Sequence, residues 1–283
     1  MKAKEISGNP LHGLWALTNR ELKKWYKEPI VLFVSIIQPV IWMSLFGKSM
    51  NINAIFTTNL PPNMPPQLAD EIMNKTFGTN DYFSFMAVGM LSFVTLFTTM
   101  FSGMSIVWDR RLGFLNKVLS TPVARGVIIF SKILSATIRS LVQASIVLIF
   151  AFMLGLKTGT NFTPINILGV YAVLFMLCMG LSALFLMIGI RSTRWETQMA
   201  VVNLLNLPLM FTSNVFFPTS MMPNWLQPIA NVNPITYTTD AIRQLLIYQT
   251  NINQLIFDFA YLTMFTAAIA SISIILAWKY LSK

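Results

Sequence analysis

The sequence predicts an all-α polytopic membrane protein of six transmembrane helices with both termini on the cytoplasmic side. Three observations lead there. Of the 283 residues, 55% are hydrophobic and 11% charged, against about 25% charged in soluble domains, so the main solvent is lipid. Six apolar runs approach the ~17–25 residues that cross a hydrocarbon core of ~30 Å as a helix. Lysine and arginine gather in alternate connections, which sets the orientation.

Residues 1–29 come first. Leu11, Leu14, Trp15, Thr18, Leu22 and Trp25 share one helical face, whereas Asn19, Arg20, Lys23, Lys24 and Lys27 lie elsewhere. This pattern reads as an amphipathic helix lying on the inner leaflet and ending before Pro29. An ordinary charged flank of the first span is the alternative. The first apolar run starts behind too many charges to be a cleaved signal peptide.

The transmembrane domain, 30–283, carries spans at about 30–46, 82–107, 134–156, 165–190, 199–217 and 255–278. Each must be helical, because an open strand in lipid leaves its amides unpaired. In the third, Arg125, Lys132 and Arg139 recur every seven residues. That helix is therefore expected to extend out of the hydrocarbon, with Arg139 snorkelling near the inner boundary.

With the N-terminus inside, fourteen Lys and Arg fall on cytoplasmic segments and four on outer ones, leaving Lys132 and Arg139 aside. The net charge of +10 has this same origin and does not call for nucleic acid, since anionic lipid beside the cytoplasmic face accounts for it.

The connections are unequal. Outer loop 48–81 contains NLPPNMPPQ, whose prolines favour an extended path and a spacer or lid. The cytoplasmic loop 108–125, WDRRLGFLNKVLSTPVAR, predicts a short charged helix over Trp108 to Leu119, broken at Gly113 and stopped by the Ser-Thr-Pro that follows. Such a knob suits receiving force from a partner; a solvated loop that only enforces topology fits the composition equally well. Outer segment 218–254 has apolar pieces too short to span, interrupted by proline, and reads as short re-entrant helices or as a plain loop.

Several chemistries are disfavoured. One Cys (Cys178) and one His (His12) exclude an intrachain disulfide and argue against a His/Cys metal cluster. LGLKTG, Leu154 to Gly159, lacks the glycine spacing of a phosphate loop. Carboxylates are scarce near the midplane, which counts against an ion-gradient-driven transporter. Within the spans, Phe97, Phe101, Asn203, Asn206, Met210 and Asn214 offer hydrogen bonds and adaptable apolar surface to an amphiphile. The same residue types also hold membrane helices together, and composition favours that reading.

Two motifs carry a family resemblance. The loop residues Asp109, Gly113, Phe114, Leu115, Leu119, Pro122, Arg125 and Lys132 resemble the cytoplasmic loop of the ABC-2 family, the permeases of type-2 ABC exporters. Arg111 departs from an acidic residue there. Ser213 to Gln244 is similar to the family's segment after the fifth span, through Phe217, Pro218, Pro223, Trp225, Leu226, Asn233, Pro234, Tyr237 and Arg243, with Asn214 standing where glycine is common. Arg20, Glu21, Leu22, Gln38 and Pro39 extend the likeness towards the N-terminus.

The resemblance implies a six-helix permease that pairs with itself or a paralogue in a prokaryotic plasma membrane and docks two ABC-type ATP-binding subunits. It binds no cofactor itself, with ATP and magnesium held by the partner. The coupling residues it implies are Asp109, Arg110, Arg111, Gly113, Phe114 and Leu115, with Arg110 and Arg111 supplying charge, Gly113 a turn or close approach and Phe114 an apolar anchor. The alternatives are a secondary transporter and a non-transporting scaffold or receptor.

Overall fold

The computed structural model describes residues 10–48, 66–192 and 194–281. Among these residues the regular structure is entirely helical. Helix α1, Pro10–Tyr26, precedes α2, Pro29–Trp42, which continues as a π-helical segment, Met43–Lys48. α3 is Pro66–Phe77, α4 is Tyr82–Arg111, α5 is Phe114–Leu119, α6 is Arg125–Met153 and α7 is Pro164–Arg191. α8, Trp195–Phe211, leads through a 3-10 turn at Thr219–Met221 to α9, Gln227–Ala230, then α10, Pro234–Leu246, and α11, Ile252–Leu281.

α4 is the axis of the molecule, packed against α6, α7, α8 and α10. Hydrophobicity gives little drive for one helix to leave lipid for another, so close packing must hold these helices. Glycine supplies the closeness. A Cβ on Gly103 would stand 2.1 Å from the Phe185 carbonyl oxygen, and one on Gly189 would stand 2.3 Å from that of Gly103. The α4 and α7 backbones thus approach as no larger residue would permit.

Among the described residues, four helical stretches are long and apolar enough to cross a membrane: Glu71–Arg111, which takes in part of α3 and all of α4, Arg125–Met153, Pro164–Arg191 and Ile252–Tyr280. They contain the expected second, third, fourth and sixth spans, although α6 stops at Met153 and Gly155 turns the chain at φ +99°. The expected first and fifth spans fall short of that length. In α2 the internal Pro39 removes a backbone donor, and the helix widens into its π-helical end.

The fifth was expected to reach residue 217, yet α8 ends at Phe211. Beyond it the chain turns inward, where Arg243 donates to the Asn214 carbonyl at 2.8 Å and the Val215 carbonyl at 3.1 Å, so that these acceptors are satisfied outside any helix. Gly89 makes room, since a Cβ there would lie 2.4 Å from the Val215 oxygen.

Loop 48–81 also differs from the extended path expected, because Pro66 begins a helix. Met73 and Phe77, four residues apart, bury one face of α3, and the Tyr248 hydroxyl donates to the Phe77 carbonyl at 2.6 Å. Residues 49–65, which include most of the proline-rich segment, lie outside the described residues.

Between α8 and α11, α9 is a single turn, and α10 has 13 residues. At ~1.5 Å per residue α10 is about 20 Å long, short of a membrane crossing. Pro234 opens it and the Asn233 side chain accepts from the Ile235 amide at 3.0 Å. Nearly the whole of α10 is buried, with Thr239 donating to Ser92 on α4.

Candidate functional site

Charge concentrates where α1 crosses α4 and α6. Arg20 and Lys24, four residues apart, stand on one face of α1 with Glu21 between them. Asp109 is buried near the end of α4. Its Oδ2 accepts from Lys132 Nζ of α6 at 2.5 Å, and its Oδ1 accepts from Arg20 Nη2 and Lys24 Nζ, both at 3.1 Å. Glu21 Oε1 accepts from Arg20 at 2.8 Å, Lys24 at 3.3 Å and Lys132 at 3.4 Å. Lys132 also reaches the Ser105 hydroxyl, one turn before Asp109, at 3.2 Å.

Three cations therefore share two carboxylates across three helices. Burying such charges is expensive, and only mutual pairing offsets the desolvation.

The loop after α4 is fastened to this cluster. Gly113 turns the chain at φ +69°, a left-handed conformation natural to glycine, with nothing within 4 Å of where a Cβ would sit. Its glycine is thus needed for the turn and not for close approach. Phe114 then starts α5 beneath the Arg20 guanidinium, 3.3 Å from ring centroid to carbon, close enough for a cation–π contact. Leu115 and Val118 face inward against Ile106, Ile129 and Ile133. Arg110 closes the end of α7 by donating to the Ile190 and Ser192 carbonyls at 2.8 and 2.9 Å.

Arg111, Leu112, Asn116 and Lys117 lie on the surface, with Leu112 71% exposed. The expected coupling residues thus divide into two sets: Asp109, Arg110, Phe114 and Leu115 tie the knob to the helices beneath it, and Arg111 faces outward. Pro122 is exposed after α5 and Arg125 opens α6. Leu112, Glu21, Arg20 and Lys24 lie outside the expected site residues, although Arg20 and Glu21 belong to the family likeness and Arg20 and Lys24 are spaced one helical turn apart.

The second motif builds the opposite end. Arg243 is buried over the Phe85 ring at 3.4 Å, and its Nη2 donates to the Phe85 carbonyl at 3.2 Å as well as to Asn214 and Val215. Pro218 precedes the 3-10 turn, the Pro223 carbonyl accepts from Leu226 at 2.8 Å, and Trp225 is exposed. The Tyr237 hydroxyl donates to the Asn231 carbonyl at 2.5 Å, and Pro234 sits at the first turn of α10. These residues shape the compact cap that α9 and α10 form beside α4.

The model of the ABC-2 type transporter family matches residues 12–247, a stretch that takes in both motifs. The chain belongs to the ABC-2 type transporter family. It is similar to the transport permease ycf38 of Cyanophora paradoxa, 30% identical over 232 residues that cover 81% of this chain and 72% of that one. The ycf38 permease of Porphyra purpurea is also 30% identical, over 230 residues with the same coverage. The daunorubicin resistance ABC transporter permease protein DrrB1 of Streptomyces coeruleorubidus is 23% identical over 168 residues, 59% of each chain. The protein is accordingly an integral membrane permease subunit of an ABC transporter, a class that works with a separate ATP-binding subunit.

The permease has an apolar cavity of about 510 Å³ between α2, α4 and α6. Phe97 and Phe101 line it. The other residues expected along a substrate path do not. Asn203 is exposed on α8, Asn206 and Met210 are buried on that helix, and Asn214 donates to Asp240 beyond it. The structure therefore brings two of the six together and leaves the others on the α8 side of the molecule.

Proposed function

We propose that this permease is the membrane subunit of an ATP-driven exporter that moves an amphiphilic or hydrophobic compound, a drug, lipid or lipid-linked molecule, out of the cytoplasm or inner leaflet of a prokaryotic plasma membrane. Six spans with both termini cytoplasmic agree with the fourteen-to-four distribution of Lys and Arg. In this topology α2 with its π-helical end and α8 with the segment after it supply the first and fifth crossings, and α9 and α10 dip in from outside. Two permeases, identical or paralogous, pair around a path, and two ATP-binding subunits that hold ATP and magnesium dock below.

The observation that carries the reading is the cluster of Arg20, Glu21, Lys24, Asp109 and Lys132 directly behind the exposed turn. A subunit pressing on Arg111, Leu112 and Lys117 acts on α5. Phe114 passes the displacement to Arg20 and so to α1, while the Asp109–Lys132 pair binds α4 to α6. Helices joined this way move as one body, as alternation between inward-open and outward-open states requires.

The test is transport. The permease and its co-purified ATP-binding subunit, reconstituted in vesicles, are expected to move a fluorescent amphiphile only with ATP. Movement driven by a proton or sodium gradient without ATP would overturn the reading in favour of a secondary transporter.

A further inference from the structure

We propose that the cavity between α2, α4 and α6 binds a single-chain amphiphile with one anionic head group, with Arg139 as the head-group ligand. As the identity of the cargo this rests on the exporter reading; as a binding site it stands alone.

The cations packed between the helices at this end of the molecule are otherwise paired off. Arg20, Lys24 and Lys132 share Glu21 and Asp109, and Arg110 caps α7. Arg139, on α6, lines the cavity and places only its Nε on a carbonyl of its own helix, that of Ser135 at 3.3 Å. No carboxylate among the described residues pairs with it, and Glu21, whose charge reaches it, is already shared by three cations. At about 1.5 Å per residue Arg139 lies roughly 10 Å along α6 beyond Lys132, deeper among apolar groups. A guanidinium there, with no carboxylate of its own among the described residues, is a strong ligand for an anion that arrives with an apolar body attached.

The neighbouring polar groups sharpen the choice. Gln143 donates to the Ser35 hydroxyl at 2.7 Å and accepts from Thr98, so Arg139 is the charged donor in the wall, beside the uncharged amide of Gln38. Most of the wall is apolar, with Phe93, Phe97, Phe101, Met100 and Pro39 among its residues, a lining that adapts to an alkyl chain. The volume of about 510 Å³ lies within the ~300–1,000 Å³ of small-molecule sites. Ile30, Val34 and Phe101 are exposed along its rim, where a chain from the bilayer would enter. A cationic amphiphile is repelled by Arg139, and a neutral one leaves it unpaired.

The experiment uses purified permease in nanodiscs of neutral phosphatidylcholine, with photoactivatable diazirine palmitate and the matched diazirine hexadecanol as probes. Palmitate is expected to label peptides containing Phe97 and Phe101 at least about tenfold more strongly than the alcohol, the size of one charged hydrogen bond. Arg139→Gln should reduce palmitate labelling to the alcohol's level, and Arg139→Lys should keep most of it. Equal labelling by acid and alcohol in the unmodified protein overturns the proposal without recourse to a variant, whatever the folding of Arg139→Gln. Labelling abolished by a modest fraction of phosphatidylglycerol in the disc also overturns it, because the site then belongs to a resident phospholipid. No ATP-binding subunit is present, so a negative result here leaves the exporter reading untouched, and failure of ATP-driven transport leaves this result intact.

Discussion

Lys132 of α6 places its ammonium 2.5 Å from Asp109 of α4, and both side chains are almost wholly buried. One buried ion pair thus ties α4 to α6, with Arg20, Glu21 and Lys24 of α1 closing around it. The pair lies within one turn of the surface knob.

Asp109→Asn leaves Lys132 with Glu21 as its remaining carboxylate, and loss of one partner of a buried pair costs about 3–5 kcal/mol. The melting temperature of the detergent-solubilised protein is expected to fall clearly. Lys132→Met combined with Asp109→Asn should cost less than the sum of the two single changes. Additive losses would show that the two side chains do not act as a pair.

Gly189→Ala and Gly103→Ala are expected to destabilise the α4–α7 contact by about 1–3 kcal/mol or more, since each new methyl meets a backbone carbonyl that cannot step aside. Gly126→Ala is the matched control, because a Cβ there meets nothing within 4 Å. Its melting temperature should stay level or rise slightly, as helical Gly→Ala changes do.

Gly113→Ala carries only the cost of left-handed backbone, about 1 kcal/mol, and should leave ATP-driven export largely intact. Phe114→Asp removes the ring beneath Arg20 and sets a carboxylate beside the cluster; export is expected to be lost. Equal export by both variants in the vesicle assay would remove Phe114 from the coupling route.

Phe101→Ala is expected to lower the stimulation of ATP hydrolysis by added amphiphile several-fold, because Phe101 lines the cavity. Asn206→Ala, buried on α8 away from that cavity, should leave stimulation near its starting level. The reverse order would move the substrate path to the α8 side.

Much of this architecture is legible in the residues. The apolar runs of α4, α6, α7 and α11 are long enough to declare themselves, and Gly113 followed by Phe114 marks the break before α5. The interrupted elements are less legible. α8 reads as a span to residue 217 because Phe216 and Phe217 are as apolar as lipid requires, and only the distant Arg243 shows that the Asn214 and Val215 carbonyls are needed elsewhere. The same holds for Asp109. In the loop sequence it resembles another surface charge, and its burial depends on Lys132, 23 residues on, and Arg20, 89 residues back. Arg139 was expected to snorkel towards water; its position in the wall of a cavity follows from α2 and α4 closing around it, which periodicity within α6 does not reveal.

The central claim is that ATP energy enters through the turn between α4 and α5. The most direct measurement extracts the tagged permease from its native membrane in mild detergent and quantifies the ATP-hydrolysing subunit retained by the unmodified chain and by Leu112→Asp/Lys117→Glu, after both show the same melting temperature. Leu112 and Lys117 are exposed, so the double variant alters the docking face and spares the cluster beneath. The account predicts stoichiometric retention by the unmodified chain and loss from the variant. Equal retention by both, or no ATP-hydrolysing subunit with either, would contradict it.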